Sequence, residues 1–134
     1  MRRTVLLVED DSSVAEMIEI ALESFEDISL TVLPNGIEAL NFLAQHFTGV
    51  AALITDLHMP VMSGFELIEH IRAHEIYDFL PIVVVSSDTN PETAARLNRF
   101  GISAYFAKPF SPLKVRRKLE LLVRSRHEKY APKS

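Results

Sequence analysis

Short apolar runs alternate with helical stripes along this chain. Thr4-Val5-Leu6-Leu7-Val8 is the first run; Val14, Met17, Ile18, Ala21, Leu22 and Phe25 then recur at three- and four-residue intervals, the period of an amphipathic helix. Ser12 or Ser13 is the expected N-cap of that helix, and Ser13 with Glu16 fits a capping box. Ile28 to Leu33 alternates apolar and polar β-formers and predicts a second strand, broken by Pro34-Asn35-Gly36. A second helix is predicted over 37–46, burying Ile37, Leu40, Leu43 and Ala44. Val50-Ala51-Ala52-Leu53-Ile54-Thr55 is apolar almost throughout, as a strand covered on both faces should be. Pro60 makes 56–63 a loop, and Ser63-Gly64-Phe65-Glu66 is a capping box opening a third helix that buries Leu67, Ile68 and Ile71. After Pro81 comes a fourth strand, Ile82-Val83-Val84-Val85. Asn90 caps a fourth helix and Pro91 occupies its first turn, where the missing N–H costs nothing. That helix offers the core only Ala94 and Leu97, with Phe100 at its end, so it is expected to be the least anchored and the most movable. Gly101 ends it, residues 103–107 predict a fifth strand, and Ser111-Pro112 starts a last helix burying Val115, Leu119 and Leu122. Beyond about Arg126 the pattern fades.

Five strands alternating with five helices imply an α/β fold with a parallel sheet covered on both faces. Right-handed crossovers leave few topologies, and the expectation is a flavodoxin-like, doubly wound, five-stranded sheet in the order 2-1-3-4-5. In such sheets ligands bind at the carboxyl ends of the strands, where the first and third diverge.

Composition narrows the partners. At 134 residues the chain is most simply one domain, expected over 1–127, with 128–134 as a tail or the start of a linker. No apolar stretch approaches the roughly 18 residues of a membrane span. The first apolar run meets Glu9 too early for a secretory signal, so a cytoplasmic location is expected. Lack of cysteine removes thiolate chemistry and disulfides. The net charge of −4 hides an asymmetry: residues 1–110 hold 6 Lys/Arg against 16 Asp/Glu, and residues 111–134 hold 8 against 2. An acidic body argues against direct nucleic-acid binding, and cations along a last helix complement its dipole.

The polar residues that end the apolar runs carry the chemistry. The first run leads into Glu9-Asp10-Asp11, the third into Asp56, the fourth into Ser86-Ser87, and the fifth into Lys108. Each alone has a bland reading: an acidic helix cap, a turn aspartate, a strand-end hydroxyl, a surface lysine. On a parallel sheet they all emerge at one edge. Crowded carboxylates raise one another's proton affinity unless a cation intervenes. Mg²⁺ is hard, prefers oxygen and takes one or two carboxylates while keeping waters; Mn²⁺ is a substitute. Asp56 beside such an ion can attack phosphorus to form an aspartyl phosphate, with Lys108 and Ser86 placed for the phosphoryl oxygens.

The chain resembles the receiver domain of two-component response regulators. The residues that carry the resemblance are Val5-Leu6-Leu7-Val8-Glu9-Asp10-Asp11, Asn35-Gly36-Ile37-Glu38-Ala39-Leu40, Thr55-Asp56-Leu57-His58-Met59-Pro60-Val61-Met62-Ser63-Gly64, Pro81-Ile82-Val83-Val84-Val85-Ser86 and Tyr105-Phe106-Ala107-Lys108-Pro109-Phe110. The resemblance implies that Asp56 is the phosphoacceptor, taking a phosphoryl group from a sensor histidine kinase or a histidine phosphotransfer protein. It implies that Asp10, Asp56 and the backbone carbonyl of His58 are Mg²⁺ ligands, with Glu9 acting through water. Ser86 and Lys108 match the hydroxyl and ammonium that hold phosphoryl oxygens, and Ser86 with Tyr105 matches the switch pair. The Lys108–Pro109 bond is usually cis in this family. Glu9 stands for a commoner Asp, Ser86 for a commoner Thr, and Ser87 where Ala is frequent. His58 and Asp88 fall where side chains modulate phosphate lifetime, with no sign fixed by the sequence.

The implied output runs through the fourth helix, fifth strand and fifth helix to a downstream protein or fused output domain, with a phosphorylation-dependent homodimer as one form it can take. On this reading the chain is a phosphoacceptor signalling domain rather than an enzyme. Two other readings compete. A haloacid-dehalogenase-type phosphatase would want a second aspartate where His58 stands, and a cap domain for which 134 residues leave no room. A non-phosphorylated pseudo-receiver would lack site residues that this chain keeps.

Overall fold

A computed structural model describes the backbone of residues 2–130 and the side chains of residues 2–124. Five strands, β1 (Arg3–Val8), β2 (Ile28–Leu33), β3 (Val50–Thr55), β4 (Ile82–Ser86) and β5 (Ala104–Ala107), alternate with five helices. The helices are α1 (Ser12–Leu22), α2 (Gly36–His46), α3 (Gly64–Arg72), α4 (Pro91–Arg99) and α5 (Pro112–Tyr130). The strands pair in parallel in the order β2-β1-β3-β4-β5, as expected for the flavodoxin-like arrangement.

Strand alternation divides the core in two. Val5 and Leu7 of β1, Ala52 and Ile54 of β3, and Val83 and Val85 of β4 face α1 and α5, meeting Ile18, Leu22, Val115, Leu119 and Val123. Leu6, Val8, Leu53, Ile82 and Val84 point the other way, onto Leu43 of α2, Leu67, Ile68 and Ile71 of α3, and Leu97 of α4. Every residue of β3 and β4 is buried, which is why those strands read as unbroken apolar runs. The edge strand β2 is only half-buried beyond Ile28.

Several helix details differ from expectation. Asp11 caps α1, accepting from Ser13 N at 2.9 Å, in place of Ser12 or Ser13. A carboxylate accepts more strongly than a hydroxyl, and Asp11 holds the Ser13 hydroxyl as well, at 2.7 Å. The buried stripe of α1 is Ala15, Ile18 and Leu22, and Met17 is exposed. In α2 the buried positions are Gly36, Ala39 and Leu43, leaving Ile37 and Ala44 outside. Helix α4 buries Thr93 and Leu97, not Ala94, and α5 buries Val123 more deeply than Leu122. In each case the centre of the expected stripe is buried and only a flanking position differs: Ile18 and Leu22, Leu43, Leu97, and Val115 with Leu119 lie inside as expected. The Ser63–Glu66 capping box and the Asn90 cap with Pro91 at the first turn form as expected. Helix α5 continues past Arg126 to Tyr130; residues 131–134 of the expected tail lie outside the described residues.

The two carboxyl-terminal strand ends that matter most are neighbours. Val8 pairs with Thr55 at the end of β1 and β3, and Asp56 N donates to Val8 O at 3.3 Å. The chain leaves β1 for α1 on one face and β3 for α3 on the other, so a crevice opens between them.

Candidate functional site

Glu9, Asp10 and Asp56 meet at that crevice, with one carboxylate oxygen of each lying within 4.8 Å of the others. Glu9 and Asp56 are buried and Asp10 is exposed, an arrangement closed at the back and open to solvent at the front. Asp56 is fixed from three sides. Its Oδ1 accepts from Leu57 N at 2.6 Å and, more weakly, from His58 N at 3.4 Å. Its Oδ2 accepts from Lys108 Nζ at 2.8 Å, bringing the end of β5 across to the end of β3. The Lys108–Pro109 bond is cis.

Glu9 is the electrostatically strained member. Its side chain is fully buried, and Lys108 Nζ stands 3.5 Å from Oε2. Its Oε1 accepts from Asp11 N at 3.2 Å. Among the described residues Oε2 is the buried side-chain oxygen or nitrogen left without a hydrogen bond. Burial, then the charge of Asp56, push the Glu9 carboxyl up to about 7, against the opposing pull of Lys108. Burial alone would lower the Lys108 ammonium, but its hydrogen bond to Asp56 and the charges of Glu9 and Asp56 hold it above its ordinary value. Two buried carboxylates thus share one fixed ammonium, with Asp10 beside them. An unsatisfied buried carboxylate oxygen beside two more carboxylates fits a hard divalent cation. Glu9, Asp10 and Asp56 are the groups that would hold it.

Ser86 is fully buried at the end of β4, and its Oγ accepts from Asp88 N at 3.1 Å. Tyr105 is half-buried on β5, and its hydroxyl donates to the carbonyl of Asp88. Burial raises that phenol above its ordinary value. Asp88 therefore joins the two residues expected to act as a pair. Its carboxylate also accepts from Asn90 N at 2.9 Å and Thr93 Oγ1 at 3.0 Å, and lies 3.2 Å from His58 Nε2. The Asn90 N–H, outweighing partial burial, holds Asp88 below the usual carboxylate range.

Two residues escaped sequence reasoning, one at the site and one at the far end of α3. A Cβ on Gly64 would lie 1.9 Å from the carbonyl oxygen of Asp56, so only glycine lets α3 start against the backbone of Asp56. Its N–H donates to Leu57 O at 2.8 Å. The signal was a glycine directly after a strong cap, where helix formers are expected. Arg72, the last residue of α3, donates to the carbonyls of Tyr77 and Phe100 at 2.8 Å and of Leu80 at 2.9 Å. It ties the end of α4 to α3, and nothing in its sequence context marks it.

The family model for the response regulator receiver domain matches residues 5–120. The chain belongs to that family. Receiver domains are signalling domains of two-component systems, and this one carries their acidic cluster. It is 31% identical over 116 residues to a chemotaxis protein CheY homolog of Campylobacter jejuni, a match covering 87% of this chain and 88% of that protein. It is also similar to the solved response regulator receiver protein of Pseudomonas putida, at 31% identity and a TM-score of 0.81 over 90% of this chain and 98% of that one. For the chemotaxis response regulator CheY4 of Vibrio cholerae the figures are 28%, 0.78, 91% and 99%. Among the described residues no helix is long and apolar enough to cross a membrane.

Proposed function

We propose that this receiver, taken as residues 1–127, accepts a phosphoryl group on Asp56 from a phosphohistidine of a sensor histidine kinase or a histidine phosphotransfer protein, in a reaction that depends on Mg²⁺. The single observation behind this reading is the convergence of Asp56, the acidic pair Glu9 and Asp10, and Lys108 at one strand edge. Bound Mg²⁺ supplies positive charge that offsets the carboxylates and the phosphoryl oxygens. The chain's own groups do the rest. Leu57 N and Lys108 Nζ hold the Asp56 carboxylate in one orientation, which removes the rotational search from the attack. An Asp56 oxygen bonds to phosphorus as the N–P bond of the donor breaks; the electron pair stays on the imidazole, which takes up a proton from solvent.

The product puts about −2 on the phosphoryl group in place of the −1 of the Asp56 carboxylate, a net gain of about one negative charge, together with three acceptors further out. Lys108 already reaches the carboxylate, and a turn of Ser86 Oγ toward a phosphoryl oxygen draws on its contact with Asp88 N. That change passes to Tyr105 through the carbonyl of Asp88 and to α4 through Asn90 and Thr93. Helix α4 has only Thr93 and Leu97 buried, so it is the element with least to lose by shifting. The output face is then α4, β5 and α5, read by a downstream protein or a linked output domain. The chain works as a phosphoacceptor, not as a turnover enzyme. Incubation with acetyl phosphate and Mg²⁺, followed by peptide mapping, tests the acceptor: label on the peptide holding Asp56 supports it, and label elsewhere overturns it.

A further inference from the structure

Helices α1 and α5 lie side by side on one face of the sheet, and both start at the carboxyl edge of the strands. Their outer surfaces carry apolar residues framed by opposite charge. On α1, Met17 and Ile20 are 42% and 63% exposed, with Glu16, Glu19 and Glu23 exposed around them. On α5, Leu113 and Leu121 are 52% and 61% exposed, among Lys114, Arg117 and Lys118. None of these six charged side chains forms an ion pair among the described residues. The flanks are fixed as well. Glu16 and Glu19 line a crevice with Val32 and Pro34, so they stand on the β2 side of α1, away from α5, which lies over β3. Arg116 donates to Ser24 Oγ just past α1 and pairs with Glu120 at 2.7 Å, which marks the flank of α5 that faces α1. Lys118 is two residues from each of them, about 200° around the helix. It therefore lies on the far flank, with Lys114 one turn before it.

We propose that a second copy of this chain docks on this surface, about a two-fold axis that runs along the two helices and between them. That rotation keeps each helix pointing the same way and exchanges its place with its neighbour's, so α1 of each copy lies on α5 of the other. Met17 and Ile20 then meet Leu113 and Leu121. The outer carboxylates Glu16 and Glu19 meet the outer ammoniums Lys114 and Lys118, at similar depth because both helices start at the same edge. An axis across the helices would set α1 on α1 and α5 on α5, stacking like charges at a cost in affinity. Charge selects a second copy as the occupant: each half of the surface is the complement that the other half requires, and one isologous contact satisfies both. With α1 only 11 residues long, the contact falls at the small end of specific interfaces, so it is weak and salt-sensitive. Asp56 belongs to neither stripe, and the pairing does not call for phosphorylation.

Sedimentation of the unphosphorylated chain from about 5 μM to about 500 μM tests this. In about 0.05 M salt wild type is expected to pass reversibly from monomer to dimer over that range, and its dissociation constant should rise about tenfold in about 0.5 M salt. Glu16→Lys with Glu19→Lys, and Lys114→Glu with Lys118→Glu, each place like charges on both halves of the contact, and each double variant is expected to stay monomeric. Mixed in equal amounts, the two variants restore opposite charges on both halves and should dimerise with about the wild-type affinity. Recovery in the mixture also shows that both variants are folded. A wild type that stays monomeric, a double variant that dimerises alone, or a mixture that stays monomeric overturns the proposal. A dimer that forms only after treatment with acetyl phosphate overturns it too, and would move the contact to the face of α4, β5 and α5.

Discussion

Glu9 gives the sharpest quantitative consequence of the site. In the folded chain its carboxyl holds a proton up to about 7, against 4.5 ordinarily. Between those values the unfolded chain has released a proton that the folded chain retains, so stability falls as pH rises. The stabilisation is complete below about pH 4.5 and gone above about pH 7.5. That displacement corresponds to about 3 kcal/mol at full burial, and to about half that with the crevice mouth open to water. Glu9→Gln removes the titration. Urea unfolding in chelator from about pH 5 to about pH 8 is the assay; the stability of wild type minus that of Glu9→Gln cancels the titrating groups that do not interact with Glu9. The difference should fall by about 1 to 2 kcal/mol across that range. Saturating Mg²⁺ should abolish the slope by holding Glu9 ionised. A pH-independent difference in chelator, or one that rises with pH, would refute the reasoning.

Three further outcomes follow from individual residues. Gly64→Ala drives a Cβ against Asp56 O at 1.9 Å; it should cost about 3 kcal/mol in urea unfolding and sharply reduce labelling of Asp56. Val61 has φ +71 and is 72% exposed, a left-handed conformation costly for a β-branched side chain and mild for asparagine. Val61→Asn should therefore raise stability by about 1 kcal/mol in the same assay. Arg72→Met strips donors from the carbonyls of Tyr77, Leu80 and Phe100, and should lower stability by about 2 to 4 kcal/mol; hydrogen exchange at the end of α4 should rise with it.

The strands were readable because complete burial leaves an unmistakable mark: β3 and β4 hold no exposed position, and residues at the ends of such runs must emerge together. The same logic found Glu9, Asp10, Asp56, Ser86 and Lys108. Helix faces were less legible. Periodicity gives the width of an apolar stripe but not which flank the sheet covers, so Met17, Ile37, Ala44 and Ala94 were expected inside and lie outside. At the start of α1 two kinds of cap competed, and the carboxylate of Asp11 took the bond. The meeting of His58 and Asp88 depends on the path of two loops 30 residues apart, which no local pattern encodes. The left-handed turn at Val61 was hidden because the residue is an unusual occupant of that conformation.

The central claim is that Asp56, a divalent cation and the Lys108 ammonium act as one phosphoryl-accepting centre. Radiolabel transfer from acetyl phosphate, measured on wild type and Asp56→Asn with Mg²⁺ or with chelator, tests it most directly. Label on wild type that needs Mg²⁺, and none on Asp56→Asn, is the predicted result. Equal labelling of the variant, or labelling that ignores the chelator, would contradict it.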